Sequence, residues 1–190
     1  MLPNQIEPAR LEQFRRLPDA WLRQRAQALF AGLGSPDRHR VIAEYQPVLR
    51  LKGDPARGKA VFQKTCSTCH RLEGVGVEVG PDLLSALRNK SPEQLLTDIL
   101  DPSREVDPRY INYQVFDKAG RSFTGLIAAE TASSITLRRA EKAEDTLLRN
   151  QIDTIEATAK SLMPDGLETQ LNAQDMANLI AYLQAVGRPR

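Results

Sequence analysis

The sequence predicts a mainly α-helical protein with a small antiparallel β-sheet, or half-open barrel, inserted between its helices. Two observations predict this fold class. Apolar residues recur at helical spacing, between capping and proline signals, over residues 6–100 and again over 172–187. Short β-branched and aromatic runs separated by turn residues occupy 110–157. With 190 residues, 41% of them hydrophobic, the chain can bury a core without disulfide or metal cross-links.

The charge balance argues against a nucleic-acid-binding protein. The 26 basic and 24 acidic residues leave a net charge of only +2, and no block of five or more Lys or Arg occurs. No apolar run approaches the length of a membrane span, so we predict no transmembrane segment. The first residues lack the basic and apolar regions of a signal peptide.

Residues 1–52 are predicted to form a helical N-terminal segment. One helix should begin at Pro18-Asp19 and run to about Leu33, and another should follow the cap signal Ser35-Pro36. Short amphipathic helices joined by tight turns are typical of the end of a HEAT-like repeat array, although no clear internal period occurs here. The alternative is a simple helical extension packed on the domain.

The next predicted helix runs from Ala56 to about Cys69, after an Asp54-Pro55 start signal. Gly58 lies inside this helix, where glycine costs about 1 kcal/mol relative to alanine. Such a glycine marks a close approach by another backbone. Phe62 follows one turn later, and Tyr182 on the last helix is its predicted partner.

The stretch Cys66-Ser-Thr-Cys69-His70 carries the chemistry. C-x-x-C-H is the attachment signature of a c-type haem. On a helix, positions i, i+3 and i+4 share one face, so both thiols can form thioethers with haem vinyl groups while the imidazole reaches the iron. We therefore predict one covalent haem c, bound by Cys66 and Cys69, with His70 as a ligand to the metal.

The sequence offers less support for two alternative roles of the cysteine pair. A thioredoxin-like redox pair requires a β-strand immediately before the motif, whereas the sequence predicts a helix there. A zinc site requires four ligands, and the chain offers only the motif residues and the distant His39.

Met163 is the predicted second axial ligand. It lies in the loop Ser161–Gly166, which Pro164 and Gly166 keep from joining either neighbouring element. Met176 falls on the apolar stripe of the last helix and is predicted to be core. His39, on a charged helix, is the rival ligand but is predicted to be solvated.

A glycine-containing loop, residues 71–83, is predicted to wrap the haem edge. A dinucleotide-binding loop would have to follow a strand and open a helix, which these residues do not. The carbonyl of Pro81 is free to accept a hydrogen bond from the second ring nitrogen of His70, which would fix the tautomer of the ligand.

The remaining elements follow from local signals. Ser91 and Gln94 predict a capping box at the start of a helix that ends near Asp101, and Asn172 should cap a last helix that runs to about Val186. Four or five strands are predicted, at 111–116, 123–127, 134–137, 146–148 and 152–157. The charges among them, Arg121, Arg138, Arg139 and Arg149, are interpreted as a solvated face, with a docking patch as the alternative.

The order helix, C-x-x-C-H, Gly-Pro-Asp-Leu loop, helices, Met loop and C-terminal helix resembles a class I c-type cytochrome. In particular, the 93 positions between His70 and Met163, the β region and the ending Ser-Leu-Met-Pro-Asp-Gly-Leu resemble the planctomycete and verrucomicrobial type of haem-binding domain. The resemblance implies a cytochrome domain made of 53–109 and 158–190, with 110–157 as an inserted β module. It also implies haem contacts by Pro81, Leu83 and Leu162.

The leading functional hypothesis is an electron-transfer module rather than an enzyme. The resemblance implies a donor dehydrogenase domain, on the same or another chain, and an acceptor cytochrome or oxidase. It also implies a periplasmic or otherwise exported location, with this chain as the C-terminal part of a larger protein. The alternatives are a gas- or peroxide-reactive haem with a labile Met163, and an interaction module in which the β region binds a partner.

Overall fold

The computed structural model of the protein describes residues 18–29 and 38–187. The chain divides into two compact units, Met1–Asp37 and Arg38–Arg190. In the first unit, helix α1 spans Ala20–Leu29, and the backbone N–H of Leu22 donates to the Asp19 carboxylate at 2.9 Å. This contact confirms the predicted helix start. The predicted end at Leu33 and the Ser35-Pro36 signal lie outside the described residues, and the HEAT-like relationship stays a prediction.

The second unit begins with helix α2, Arg38–Tyr45, which is followed by a 3₁₀ turn at Gln46–Arg50. The guanidinium of Arg38 donates to the carbonyl of Leu100 at 2.9 Å and forms a buried ion pair with Glu168 at 2.8 Å. These residues therefore pack into the helical core. The division predicted at residue 52 stays a prediction.

Helix α3 spans Pro55–Thr65 and is capped by Asp54, whose carboxylate accepts from the backbone N–H of Ala56 at 2.8 Å. The cap and the start are as predicted, but the predicted end at Cys69 is wrong. The N–H groups of Cys66 and Ser67 both donate to the Phe62 carbonyl, at 2.8 and 3.1 Å. The shared acceptor ends the α-helix at Thr65, so the cysteine motif folds as a turn.

Helix α6 spans Ala173–Gly187, and its start is capped by Asn172, which accepts from the N–H of Asp175 at 2.8 Å. It crosses α3 at Gly58, where a methyl group would overlap the carbonyl oxygen of Asn178. The rings of Phe62 and Tyr182 lie 5.8 Å apart between centroids. The predicted crossing of these two helices is confirmed.

Between the motif and the sheet lie two further helices, α4 at Leu83–Ala86 and α5 at Pro92–Leu100. The predicted capping box is present, because the Ser91 hydroxyl accepts from the N–H of Gln94 while the Gln94 side chain accepts from the N–H of Ser91. Helix α4 begins directly after Asp82, whose side chain caps it by accepting from the N–H of Leu84 at 3.1 Å. None of the helices among the described residues is both long and apolar enough to cross a membrane.

The β region forms one antiparallel sheet of five strands in the order β4-β3-β2-β1-β5. The strands are β1 Ile111–Asp117, β2 Ser122–Glu130, β3 Ser134–Arg138, β4 Glu144–Leu148 and β5 Ile152–Ser161. The first four form a meander, and β5 returns to pair with β1 from Ile152 to Ser161. The five predicted strands are confirmed, although β5 extends four residues past its predicted end.

Two clusters of apolar side chains are buried in this unit. The larger joins α2, α3, α5 and α6, and its fully buried members include Phe62, Leu96, Met176 and Leu179. The smaller lies on one face of the sheet and consists of Val115, Ile135, Leu137 and Leu147. The protein thus combines a helical part with an antiparallel sheet that has its own core.

The four arginines predicted on the sheet surface are all ion-paired. Arg121 pairs with Asp117, Arg138 with Glu144, Arg139 with Asp145 and Arg149 with Glu130. Every one of these pairs joins residues of the β region, its strands and turns, to each other. The arrangement agrees with the solvated-face interpretation, whereas a docking patch stays a prediction.

Candidate functional site

A cavity of about 750 Å³ lies between the turn after α3, helices α4 and α5, the connector before β1 and the loop before α6. Its volume falls in the range of small-molecule and cofactor sites. All seven predicted site residues line it: Cys66, Cys69, His70, Pro81, Leu83, Leu162 and Met163. The cavity is therefore lined by residues that precede the β region in the sequence and by residues that follow it.

The cysteine turn brings two thiols and an imidazole to the wall of this cavity. The N–H groups of Cys69 and His70 both donate to the carbonyl of Cys66, at 3.1 and 2.9 Å. The turn thus continues a helix-like bonding pattern beyond the end of α3. The sequence predicted that one face of a helix would bring the three side chains together. The hydrogen-bonded turn brings them to the cavity instead.

Both cysteines are free thiols and half-buried. Burial, with a smaller effect from Cys69, raises the pKa of the Cys66 thiol to about 12. Burial also raises the pKa of Cys69, a hydrogen bond with Thr68 opposes this, and the charge of Glu141 adds to it. These raised pKa values argue against the thioredoxin-like alternative, because that chemistry requires a lowered thiol pKa.

Zinc is also disfavoured. Within the residues that the structure describes, no group of three or more His, Cys, Asp or Glu side chains is placed to hold a metal ion by itself. His39, the only histidine outside the motif, is exposed on α2 and does not line the cavity.

The ring of His70 is held by what surrounds it. Its Nδ1 atom lies 3.5 Å from the carbonyl oxygen of Pro81, the predicted acceptor. Burial lowers the pKa of His70, and the contact with Pro81 opposes this shift. The imidazole is therefore neutral near pH 7. In the tautomer that donates from Nδ1, Nε2 keeps the lone pair that a metal needs.

Glycines allow the following loop to close over the motif. A methyl group at Gly80 would lie 2.5 Å from Cε1 of His70, so only glycine leaves room for the ring. Gly76 has φ +91°, and a methyl group there would overlap the His70 carbonyl. The N–H groups of Val79 and Gly80 both donate to the carbonyl of Cys69, at 3.0 and 2.8 Å. These bonds wrap the loop around the motif, as the sequence predicted.

Met163 reaches the cavity from the end of β5. Its N–H donates to the hydroxyl of Ser161 at 3.1 Å, and the N–H of Ser161 donates to the hydroxyl of Ser103 at 3.3 Å. Gly166, with φ +91°, turns the chain toward α6. Met176, by contrast, is fully buried in the helical core and does not line the cavity, as predicted.

Two contributions from the sheet were not predicted. Leu126 of β2 lines the cavity. The N–H of Glu141, in the turn between β3 and β4, donates to the carbonyl of Thr68 at 2.7 Å. Neither carries a local sequence signal, because both depend on how the sheet folds against the helices.

The site fits a covalently held haem. Two thiols, an imidazole and a thioether line one cavity. Because Gly80 has no side chain, the imidazole of His70 has room beside it. These are the donor types that hold the porphyrin and the iron of c-type haem.

Comparison with known proteins points the same way. Residues 55–121 match the family described as Cytochrome c. A "Cytochrome c-553-like" protein of Synechocystis sp. (strain ATCC 27184 / PCC 6803 / Kazusa) is 32% identical over 63 residues, which are 33% of this chain and 59% of that protein. The family match includes Cys66, Cys69, His70, Pro81 and Leu83 and ends before the Met163 loop.

Cytochrome c domains are electron carriers that work with redox partners. The matched segment holds the complete C-x-x-C-H motif, and the structure brings that motif to a cavity of suitable size. Residues 55–121 are therefore similar to a cytochrome c domain, and the cofactor is covalently attached haem c.

Proposed function

We propose that the protein is a monohaem electron carrier that passes single electrons from a donor dehydrogenase to an acceptor cytochrome or oxidase, without transforming a substrate itself. The observation that supports this most is the meeting of Cys66, Cys69, His70 and Met163 at one cavity. When bound, the haem iron supplies a one-electron ferric/ferrous couple.

The residues divide the work of holding that group. The Sγ atoms of Cys66 and Cys69 would anchor it through thioethers, and Nε2 of His70 and Sδ of Met163 would bind its iron. Pro81 holds the His70 ring through its carbonyl. A thioether ligand favours ferrous iron and so raises the reduction potential, which suits a carrier that accepts electrons from a dehydrogenase.

Apolar contacts keep water from the iron. The side chains of Leu83 and Leu162 are half-buried and line the cavity. We assign them to the haem faces or edges, as the resemblance implies. A drier site weakens the solvation of the ferric form and so also raises the potential.

The wider setting is part of the same proposal. The cytochrome domain comprises 53–109 and 158–190, with 110–157 as an inserted β module of the planctomycete and verrucomicrobial type. The protein acts in the periplasm or another exported location, where its donor is a dehydrogenase domain of the same parent protein or a separate partner. The chain spans 59% of the length of the curated relative it matches.

The decisive experiment compares the optical spectra of the haem-loaded protein and its Met163→Ala variant. We expect the variant to lose the weak ferric sulfur-to-iron charge-transfer band and to gain carbon monoxide binding. Met176→Leu is the matched control, because Met176 is buried in the core, and it should keep the band.

Two outcomes would count against the proposal. An unchanged spectrum for Met163→Ala would remove Met163 from the iron and return His39 to consideration. Carbon monoxide binding by the unmodified protein would show a labile ligand and favour a gas- or peroxide-reactive haem.

A further inference from the structure

The turn between β3 and β4 reaches the peptide that lies between the two haem-binding cysteines. This turn comprises residues 139–143. Its Glu141 N–H donates to the carbonyl of Thr68 at 2.7 Å, and Thr68 stands immediately before Cys69. The sheet therefore contacts the cytochrome motif at the part of the chain that must hold the haem in place.

The turn is built with an unusual backbone. Glu141 and Lys142 have φ values of 58° and 59°, and neither is glycine. Residues other than glycine rarely adopt this left-handed backbone conformation, and when they do, the surrounding structure must impose it. Here the β3–β4 ladder does so, because the N–H of Arg139 donates to the carbonyl of Ala143 at 2.8 Å across the base of the turn.

The side chain of Glu141 adds a negative charge at the same point. After burial and the opposing hydrogen bond with Thr68, this charge is a smaller cause of the raised pKa of Cys69. The neighbouring guanidinium of Arg139 forms an ion pair with the carboxylate of Asp145, at 2.8 Å. Arg139 is therefore paired within the β region, and the position of Glu141 beside Thr68 places its carboxylate near the haem-binding turn.

We propose that Glu141 is a positioning residue of the haem site: its N–H holds the peptide between Cys66 and Cys69, and its carboxylate lowers the reduction potential of the haem. Ferric haem carries one more positive charge than ferrous haem, so a nearby carboxylate stabilises the oxidised form. The inference rests on the proposed function, because it takes the C-x-x-C-H haem as the redox centre. It gives the sheet a direct role in setting the potential.

The test is a spectroelectrochemical titration of the haem-loaded full chain and three variants. Glu141→Gln keeps the N–H and removes the charge, so the midpoint potential should rise. Glu141→Asp restores the charge and should return the potential toward that of the parent. Glu130→Gln, at the end of β2 opposite Ile135 near the start of β3 and outside the cavity lining, changes the net charge equally and should shift the potential much less.

A fourth variant separates charge from backbone strain. Glu141→Gly keeps the N–H, adopts the left-handed φ freely and lacks the carboxylate, so its potential should match that of Glu141→Gln. The proposal is overturned if Glu141→Gln leaves the potential unchanged, if Glu130→Gln shifts it as much, or if Glu141→Asp behaves like Glu141→Gln.

Failure of this inference is distinguishable from failure of the proposed function. A chain that retains no haem after denaturation, or a Met163→Ala variant with an unchanged spectrum, would contradict the proposed function. The potentials of the Glu141 variants bear only on the role of the turn.

Discussion

The helical part and the sheet of this protein hold themselves together in different ways. In the helical part, backbones meet directly, as at Gly53 and Gly58, where an added methyl group would overlap a carbonyl of α6. The sheet instead relies on its ladders, a small core and exposed ion pairs. The close backbone contacts lie in the helical part, next to the cavity. The sheet contributes Leu126 to the cavity lining and the N–H of Glu141 to the cysteine turn.

The largest expected effects come from removing one leucine from each core. Leu96 is fully buried among the helices, and Leu137 is fully buried in the sheet. Leu96→Ala and Leu137→Ala should each reduce the free energy of unfolding by about 3 kcal/mol. Because the Met163 loop continues directly from β5, we expect haem absorbance and far-ultraviolet circular dichroism to report one transition in both variants.

The matched control is Leu148→Ala on β4, where the side chain is 46% exposed. It should change stability by less than about 1 kcal/mol, because little apolar area leaves water there. Separate transitions for haem and sheet would contradict the expectation and show that the two parts unfold independently.

Gly58→Ala tests the contact between backbones. Helix propensity alone would make this change stabilising by about 1 kcal/mol. Since the new methyl group would overlap the carbonyl of Asn178, we expect a loss of about 2 kcal/mol instead, measured by denaturant unfolding.

A glycine of the sheet provides the comparison. Gly120 has φ +79° and open space around it, so Gly120→Ala should cost only the conformational penalty of about 1 kcal/mol. Gly120→Asn should cost less, since asparagine tolerates this region. Stabilisation by Gly58→Ala would mean that α3 and α6 lie farther apart than described.

Tyr182→Phe removes a smaller interaction at the same helix crossing. The Tyr182 hydroxyl donates to the carboxylate of Glu73 at 3.1 Å, and Lys59 pairs with that carboxylate at 2.9 Å. We expect a loss of about 1 kcal/mol near neutral pH, measured by thermal or denaturant unfolding.

The pH dependence of this interaction has a definite sign. Burial, and then the hydrogen bond and charge of Glu73, raise the pKa of Tyr182 to about 12. The neutral phenol is thus favoured by folding, and its stabilisation is complete below the unfolded value of about 10 and is lost as the pH rises to about 12. The variant should show a shallower loss of stability across this range, and an identical slope would contradict the assignment.

The smallest effect is expected on the sheet surface. Arg138 and Glu144 pair at 2.9 Å with both side chains partly exposed. Arg138→Gln should change stability by less than about 0.5 kcal/mol, because solvent screens such pairs. A larger loss would show that the sheet depends on its surface charges more than on its core.

Local signals explain how much of this structure could be predicted. The capping box at Ser91 and Gln94 and the caps at Asp54 and Asn172 depend on a few neighbouring residues, so their helix starts were predictable. The glycine at position 58 was informative because its cost inside a helix needs a compensating contact. The C-x-x-C-H motif and the loop that contains Met163 carry sequence signals of their own, and both line the same cavity.

The features that could not be predicted depend on distant parts of the chain. Helix α3 ends at Thr65 because two N–H groups share the Phe62 carbonyl, which no single residue signals. A methyl group at Gly53 would lie 2.7 Å from the Ala181 side chain, a contact set by the crossing of α6. The contact of Glu141 with Thr68 likewise exists only after the sheet and helices have assembled.

The pairing of β1 with β5 also bears on the order of events in folding. Ile111 and Ser161 lie opposite each other although roughly fifty positions separate them, so closing this loop carries a chain-entropy cost that local helices do not. Met163 follows two residues after this closure. We expect the C-x-x-C-H turn to form early and the sulfur of Met163 to reach the cavity late. Under the proposed function, the appearance of methionine ligation would then report the last step of folding.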